Sequence, residues 1–259
     1  MAYQDLKYLP GIASVIITTH NDSRYIGDCI KSLVEKTKIP LEIIVCDDST
    51  VPDVWQHIIQ FAQQAAITAH DLKLIHSCTH TTVGHMNNYG RSLSRGEYVF
   101  FANDDIKMMS ESWAERMIKA AELKPDGGVF GLVGTNTYRV QNVSQNYNAE
   151  TYVGNMKESP TVAGILTHIP RPILDSIGMW DENLTNYCWL DVDWAIRVRA
   201  HNLKCYICQD VFVHHLRIAP SNIRQNQQER FAAKYSVPRI KNESDLVACI
   251  QPCRKIYGI

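Results

Sequence analysis

Four short apolar runs, divided by helical patterns, most constrain what this chain can fold into. "IASVIITT" (12–19) is apolar and β-branched, and it empties into His20 and Asn21. "LEIIVCDDS" (41–49) ends on Asp47, Asp48 and Ser49, and "LKLIHS" (72–77) follows. "EYVFFA" (97–102) runs into Asn103, Asp104 and Asp105. Between the first two, residues 24–36 carry Tyr25, Ile26, Cys29, Ile30, Leu33 and Val34 at helical spacing, and further helices are expected over 52–69 and 85–94. Parallel neighbours need a crossover connection, so alternating strand and helix build a parallel sheet with helices on its faces. The expected class is α/β, Rossmann-like and mostly parallel.

Beyond this the pattern predicts a helix over 110–124, capped by Ser110 with Glu111 in its first turn, and a strand over 129–135. Residues 136–160 are polar and rich in Asn and Tyr, too long for an ordinary connection, and read as a mobile functional loop or hairpin. Loops on a rigid scaffold carry specificity, so ligand choice is expected there. A strand over 161–169, helices over 170–178 and 189–202, a strand over 204–215, and a helix with a polar tail complete the chain.

With 259 residues and a formal net charge of −1, the chain has ample length for a core and no global field to draw it to nucleic acid. Arg217, Arg224, Arg230, Lys234 and Arg239 make the C-terminal segment locally basic. No apolar run reaches the length of a membrane span, and "MAYQDLKYLPG" lacks a signal-peptide pattern. The expectation is a cytoplasmic protein, with the basic segment left open to meet DNA, a diphosphate or a membrane surface. Eight cysteines raise the question of zinc. Cys205 and Cys208 fall on a strand pattern, where residues three apart face opposite ways, so reduced buried thiols are expected instead.

In an open α/β sheet, ligands bind outside the carboxyl ends of the strands. Thr18–Thr19–His20–Asn21, Asp47–Asp48–Ser49 and Asn103–Asp104–Asp105 would converge there. Neither G-x-G-x-x-G nor a G-x-x-x-x-G-K-[ST] loop is present, so a nucleotide's phosphates need another counter-charge. A divalent cation on Asp105, with Asp104 beside it, would supply one. Asp191 and Asp193 open a helix, where carboxylates also complement the helix dipole. His214 and His215 end an apolar strand and are metal-ligand candidates.

These pieces together resemble the large inverting family 2 of GT-A-fold glycosyltransferases. "SVIITTHN", "LEIIVCDDS", "GEYVFFANDD", "VAGILTHIPRPILDSIGMWDENL" and "LDVDWAIRVRAHNLKCYICQDVFVHH" occur in the family's order over about 10–220. The resemblance implies a GT-A fold with a smaller acceptor-side sheet and a C-terminal helical tail. It divides the chain into a nucleotide-sugar-binding half (1–105), an acceptor and catalytic half (106–220), and a helix and tail (221–259). It also implies a hexosyltransferase-type enzyme that uses Mn²⁺ or Mg²⁺ and a nucleotide-diphosphate sugar. The acceptor would be a glycan, a lipid-linked sugar, a protein or a modified nucleic acid.

Residue by residue, the resemblance puts Thr18, Thr19, Asn21, Asp104 and one of Asp47 or Asp48 on the donor. Asn88 and Gly90 match a helix facing the nucleotide, and Gly164 lines the sugar region. Asp105 and His214 or His215 would hold the metal, and Asp191 would be the general base. Trp180, Tyr187, Trp189 and Trp194 cluster near that base, and Trp180, Trp189 and Asp193 are acceptor candidates. Asn103 stands where the family's first acid would be, and Leu190 replaces the usual acidic neighbour of Asp191. The competing expectations are a nucleotidyltransferase on a related sheet, which "TTHNDSRY" fails to equip with a Gly-rich basic loop, and a non-catalytic carbohydrate-binding relative.

Overall fold

The computed structural model describes residues 8–51, 53–77, 79–137, 139–184, 189–217, 231–237 and 243–259. Tyr187, Arg224, Arg230 and Arg239 lie outside these described residues.

The expected alternation is present as β1 (Leu9–Thr19), α1 (Ile26–Glu35), β2 (Leu41–Asp47), α2 (Val54–Ala65), β3 (Asp71–His76), α3 (Val83–Leu93) and β4 (Gly96–Asn103). Then come β5 (Ile106–Met108), α4 (Trp113–Leu123), β6 (Gly127–Gly134), β7 (Met156–Ser159), β8 (Leu166–Pro170), α5 (Arg171–Ile177), α6 (Leu190–Ala200) and β9 (Lys204–His215). Two short helices, α7 (Glu243–Ala248) and α8 (Ile250–Tyr257), close the described chain. The strands form one sheet in the order β3-β2-β1-β4-β8-β6-β9-β5, with β7 on β9. Strands β5 and β7 are thus hydrogen-bonded into the main sheet through β9.

Both faces are covered, which is why the central strands are largely apolar, while the buried Ser14 and Glu42 hydrogen-bond to each other. Val15, Ile17, Ile43 and Val45 pack with α1, α2 and α4. Their neighbours Ile16, Ile44 and Cys46 pack on the other face with α3, α5 and α6. Cys208 and Cys205 likewise fall in opposite cores, and all six described cysteines are buried free thiols. Gly90 permits the closest approach of α3 to the sheet: a Cβ there would meet Ile16 Cγ2 at 2.5 Å and Cys46 Sγ at 3.0 Å.

Strand direction positions the site. β1 to β4 are mutually parallel, and β8 is antiparallel to both β4 and β6. β9 is parallel to β6, so the carboxyl ends of β1, β2, β4 and β9 share one edge with the start of β8.

Three local expectations are corrected. Helix α4 begins at Trp113 behind Ser112 in a left-handed conformation, and Ser110 instead accepts the Phe212 N–H at 2.9 Å. Glu111 lies before the helix and pairs with Lys36. The described residues of 136–160 are folded onto the sheet rather than free. Gln141 is buried, donating to the Leu132 carbonyl at 2.7 Å and accepting from the Ala163 N–H at 2.6 Å, while β7 pairs with β9.

His168 on β8 is a neutral core histidine. Its Nδ1–H donates to the Val99 carbonyl at 3.0 Å, its ring stacks on Phe100, and burial pushes its pKa down to about 4. The folded state therefore refuses a proton that the unfolded chain accepts below about 6.5. Stability is retained above that value and declines as pH falls from about 6.5 toward 4, by up to ~3 kcal/mol from this group. Urea unfolding of wild type and His168→Phe at pH 7.5 and 5 should show a smaller pH-dependent loss in the variant. An equal loss in both would assign the acid sensitivity to other groups.

Candidate active site

Asp47 and Asp48 are adjacent at the end of β2 but do different work. Asp47 is fully buried and binds His76 Nδ1 at 2.7 Å and the Ser49 N–H, tying β2 to β3. Asp48 turns to the cleft, with Oδ1 at 2.8 Å from His20 Nδ1 and Oδ2 accepting the Thr81 N–H at 2.9 Å. Asn21, with φ 51°, accepts the Thr50 and Val51 N–H groups at 2.8 and 3.0 Å, so it locks the loop after β1 to the loop after β2. A cavity of about 160 Å³ opens here, lined by Thr18, Thr19, His20, Asp48, Asp104 and Arg217 among others.

His20, Asp48 and His80 bring ligand-type atoms within 4.8 Å of one another, close enough to meet one ion. The hydrogen-bond directions favour a different state. Asn21 Nδ2 donates to His20 Nε2 at 2.9 Å, which leaves the His20 proton on Nδ1, facing Asp48. An ion would have to displace that proton, so the three residues act here as a hydrogen-bonded wall of the cleft.

The acidic turn lies between β4 and β5. Thr19 Oγ1 donates to Asp104 Oδ2 at 2.7 Å. Burial pushes the Asp104 carboxyl up to about 7, against the pull of Arg217 and with the push of Asp105. Asp105 is also buried, yet His215 and Arg217 outweigh that burial and hold its carboxyl below the ordinary range. The neighbouring acids therefore share the site as one firmly ionised group and one that readily keeps a proton.

His215 faces this turn. Its Nε2 is 3.4 Å from Asp105 Oδ1, while its Nδ1–H donates to the Asn136 carbonyl at 3.2 Å. Such a carbonyl partner fixes the tautomer of a metal-binding histidine. Two ligands at ~2.1 Å in neighbouring octahedral positions stand ~3.0 Å apart, so the Asp105–His215 pair fits a divalent cation with little adjustment. His214, opposite Lys107 in the β5–β9 ladder, packs edge-on to Phe212.

Arg217 was not expected in this role. It enters just past β9 and reaches three acids: Nε donates to Asp105 Oδ2 at 2.9 Å, Nη1 to Asp22 Oδ2 at 3.2 Å, and Nη2 to Asp104. A contact spanning 112 residues of chain leaves no local signal in the sequence.

Asp191, at the start of α6, accepts the Gly164 N–H on Oδ2 at 3.1 Å and its neighbour Val192's N–H on Oδ1 at 2.8 Å. A Cβ at residue 164 would stand 3.4 Å from Asp191 Cβ, an ordinary contact distance, so the two backbones lie side by side without requiring glycine. The next residue, Ile165, accepts the Asn103 N–H at 3.0 Å, so two backbone links join Asp191 to the acidic turn. Burial holds the Asp191 carboxyl above its ordinary range, the direction a proton acceptor needs.

Several sequence expectations fail here on burial. Asn88 is consumed by Trp180 N–H, Trp180 carbonyl and Glu182 contacts, clamping α3 to the loop before α6, and does not face the cleft. Gly90, as above, serves helix packing. Trp180 is 6% exposed, wedged between Phe101 and Trp194, and Trp194 is 1% exposed. Trp189 is only partly buried, with its ring 5.0 Å from that of Phe231. Asp193 is fully buried against Arg197, Lys234 and Tyr235, which removes both it and Lys234 from any acceptor surface.

Residues 14–173 match the family model described as glycosyl transferase family 2. The chain belongs to that family. This family 2 chain is 22% identical over 228 residues to the O-antigen biosynthesis protein RfbC of Myxococcus xanthus, covering 78% of this chain and 17% of that protein. It spans less than a quarter of the length of the curated relatives that it matches over most of its own. Its fold is that of GT-A glycosyltransferases. A structure of GalNAc-T7 with UDP, GalNAc and Mn²⁺ superposes with a TM-score of 0.68 at 12% identity, over 90% of this chain and 48% of that one. A mannosyltransferase of Pyrobaculum calidifontis with GDP-Man and Mn²⁺ gives 0.66 at 16% identity, over 98% and 76%. Among the described residues, no helix of this family 2 chain is long and apolar enough to cross a membrane.

Proposed function

We propose that this chain is a metal-dependent inverting glycosyltransferase that moves a sugar from a nucleotide-diphosphate donor to an acceptor hydroxyl, with Asp191 as general base. The observation that carries the reading is the Gly164 link. It holds a partly buried carboxylate of raised pKa one strand start away from the Asn103–Asp104–Asp105 turn.

The nucleoside enters the cleft lined by Thr18, Thr19 and Asp48, as the nucleotide complexes of the structural neighbours support. Asp105 and His215 would hold Mn²⁺ or Mg²⁺. When bound, that cation supplies Lewis-acid charge for the diphosphate as it leaves. Asp191 takes the proton of the attacking hydroxyl, and Gly164 N–H fixes the carboxylate while it does so. Attack from the face opposite the leaving group inverts the anomeric carbon. Trp189, which is only partly buried, would stack on an acceptor sugar ring. The acceptor is a glycan, lipid-linked sugar, protein or modified nucleic acid, and the catalytic half extends through residues 106–220.

The test is a thermal-shift panel of nucleoside diphosphates and nucleotide sugars with Mn²⁺, followed by NMR of the product's anomeric configuration. A donor that stabilises the protein only with Mn²⁺ and yields an inverted product supports the reading. Stabilisation by none of them, or a retained configuration, overturns it.

A further inference from the structure

The donor-site reading leaves one charge unexplained. Asp105 and His215 make a cation seat, yet a guanidinium already lies on it. Arg217 draws its acidic partners from two places, Asp22 in the loop after β1 and Asp104 with Asp105 in the β4–β5 turn. Its own backbone N–H also points at Asp105 Oδ2, at 3.2 Å. The side chain keeps about a third of its surface exposed, and it forms part of the cleft wall with Asp104 and Thr19. It is therefore paired on its inner side and open toward the space where a donor would lie.

The electrostatic consequence is direct. Asp22 and Asp105 are held as carboxylates, both with pKa values below the ordinary range, and Arg217 neutralises much of their charge. A divalent cation arriving alone on Asp105 Oδ1 and His215 Nε2 would sit within a few ångström of that guanidinium. Like charges at that separation oppose each other strongly in a partly buried site. A diphosphate changes the balance, because its oxygens match the guanidinium fork and add negative charge beside the seat.

We propose that Arg217 is a built-in competitor for the catalytic cation: it occupies the acidic seat in the donor-free protein and yields it to the metal when a nucleoside diphosphate draws the guanidinium toward its phosphates. This rests on the donor-site reading above. Metal and nucleotide then bind synergistically, each strengthening the other by the same factor, as linkage requires. Free divalent cation does not charge the empty site.

The experiment measures Mn²⁺ binding by the EPR signal of free Mn²⁺, with UDP or GDP absent and then saturating, on wild type, Arg217→Gln and Arg217→Lys. Titrations of UDP and GDP with Mn²⁺ but no protein provide the correction for Mn²⁺ held by nucleotide alone. Wild type should bind Mn²⁺ weakly by itself and at least ~10-fold more tightly with the matching nucleotide. Arg217→Gln should bind Mn²⁺ alone at least ~10-fold more tightly than wild type and lose most of the synergy, while Arg217→Lys stays close to wild type. If Arg217→Gln does not fold, Arg217→Met carries the same comparison with wild type, since nucleotide phosphates alone would also strengthen Mn²⁺ binding. Equal Mn²⁺ affinity in wild type with and without nucleotide, or in wild type and Arg217→Gln, overturns the competitor role and leaves the transferase reading intact. No Mn²⁺ binding by any form even with nucleotide overturns the cation seat itself, and the inference with it.

Discussion

Asp191→Asn should abolish sugar transfer while leaving the donor bound. The substitution keeps an oxygen for the Gly164 N–H, so α6 retains its register on the strand edge. It removes the lone pair that accepts the hydroxyl proton. General-base assistance contributes roughly 10²–10⁴-fold in rate, and kcat should fall by that much with the donor's KM little changed. The remaining cost is the disturbed Val192 N–H contact, about 1 kcal/mol of stability. Wild-type activity should also fade as pH drops through the Asp191 pKa, at a point above the ordinary carboxylate range because burial raises it. Full transfer by Asp191→Asn would end the assignment of this residue as the base.

Asp105→Asn should have a comparable effect by a separate route. Asp105 is the firmly ionised member of the acidic turn, and His215 faces it. An amide offers a neutral oxygen and forfeits the charge that holds a hard cation. Lewis-acid stabilisation of a leaving diphosphate is worth several kcal/mol, so transfer should drop by ~10²–10³-fold or more. Nucleoside diphosphates should lose their Mn²⁺-dependent thermal shift in this variant and keep it in Asp191→Asn. Persistence of that shift in Asp105→Asn would move the metal to other ligands.

The strand half of the molecule was readable because its signals are local. A β-branched run between amphipathic helices has few other solutions, and ligand-type residues at such strand ends meet on one edge. Thr19, Asp48 and Asp104 accordingly line one cleft, Asp105 lies in the same turn, and Gly164 donates to Asp191. The errors share one cause. Asn88, Trp180 and Asp193 carry the right chemistry on elements near the cleft, yet their side chains are spent inside. Asn88 closes three hydrogen bonds to the loop at 180–182, Trp180 stacks between aromatic rings, and Asp193 neutralises buried cations. Spacing along a helix says which face a residue occupies, but only packing says whether that face is wet. Arg217 is the converse case, a residue read as part of a diffuse basic tail and found on the acids of the site.

The buried carboxylate of Asp193 also decides how short a working fragment of this chain can be. The family match ends at residue 173, and the sheet ends with β9 at His215. A protein trimmed at 173 would lack Asp191 and Asp193 altogether, and one trimmed at 215 would lose Lys234, which neutralises the buried Asp193, and the Tyr235 hydroxyl that donates to it. Stripping a partner from a buried ion pair typically costs about 3–5 kcal/mol, a large share of the stability of an ordinary domain. That loss would fall on α6, two residues from Asp191. Residues 231–237 are therefore an integral part of the folded unit, and any minimal version of the chain has to keep them.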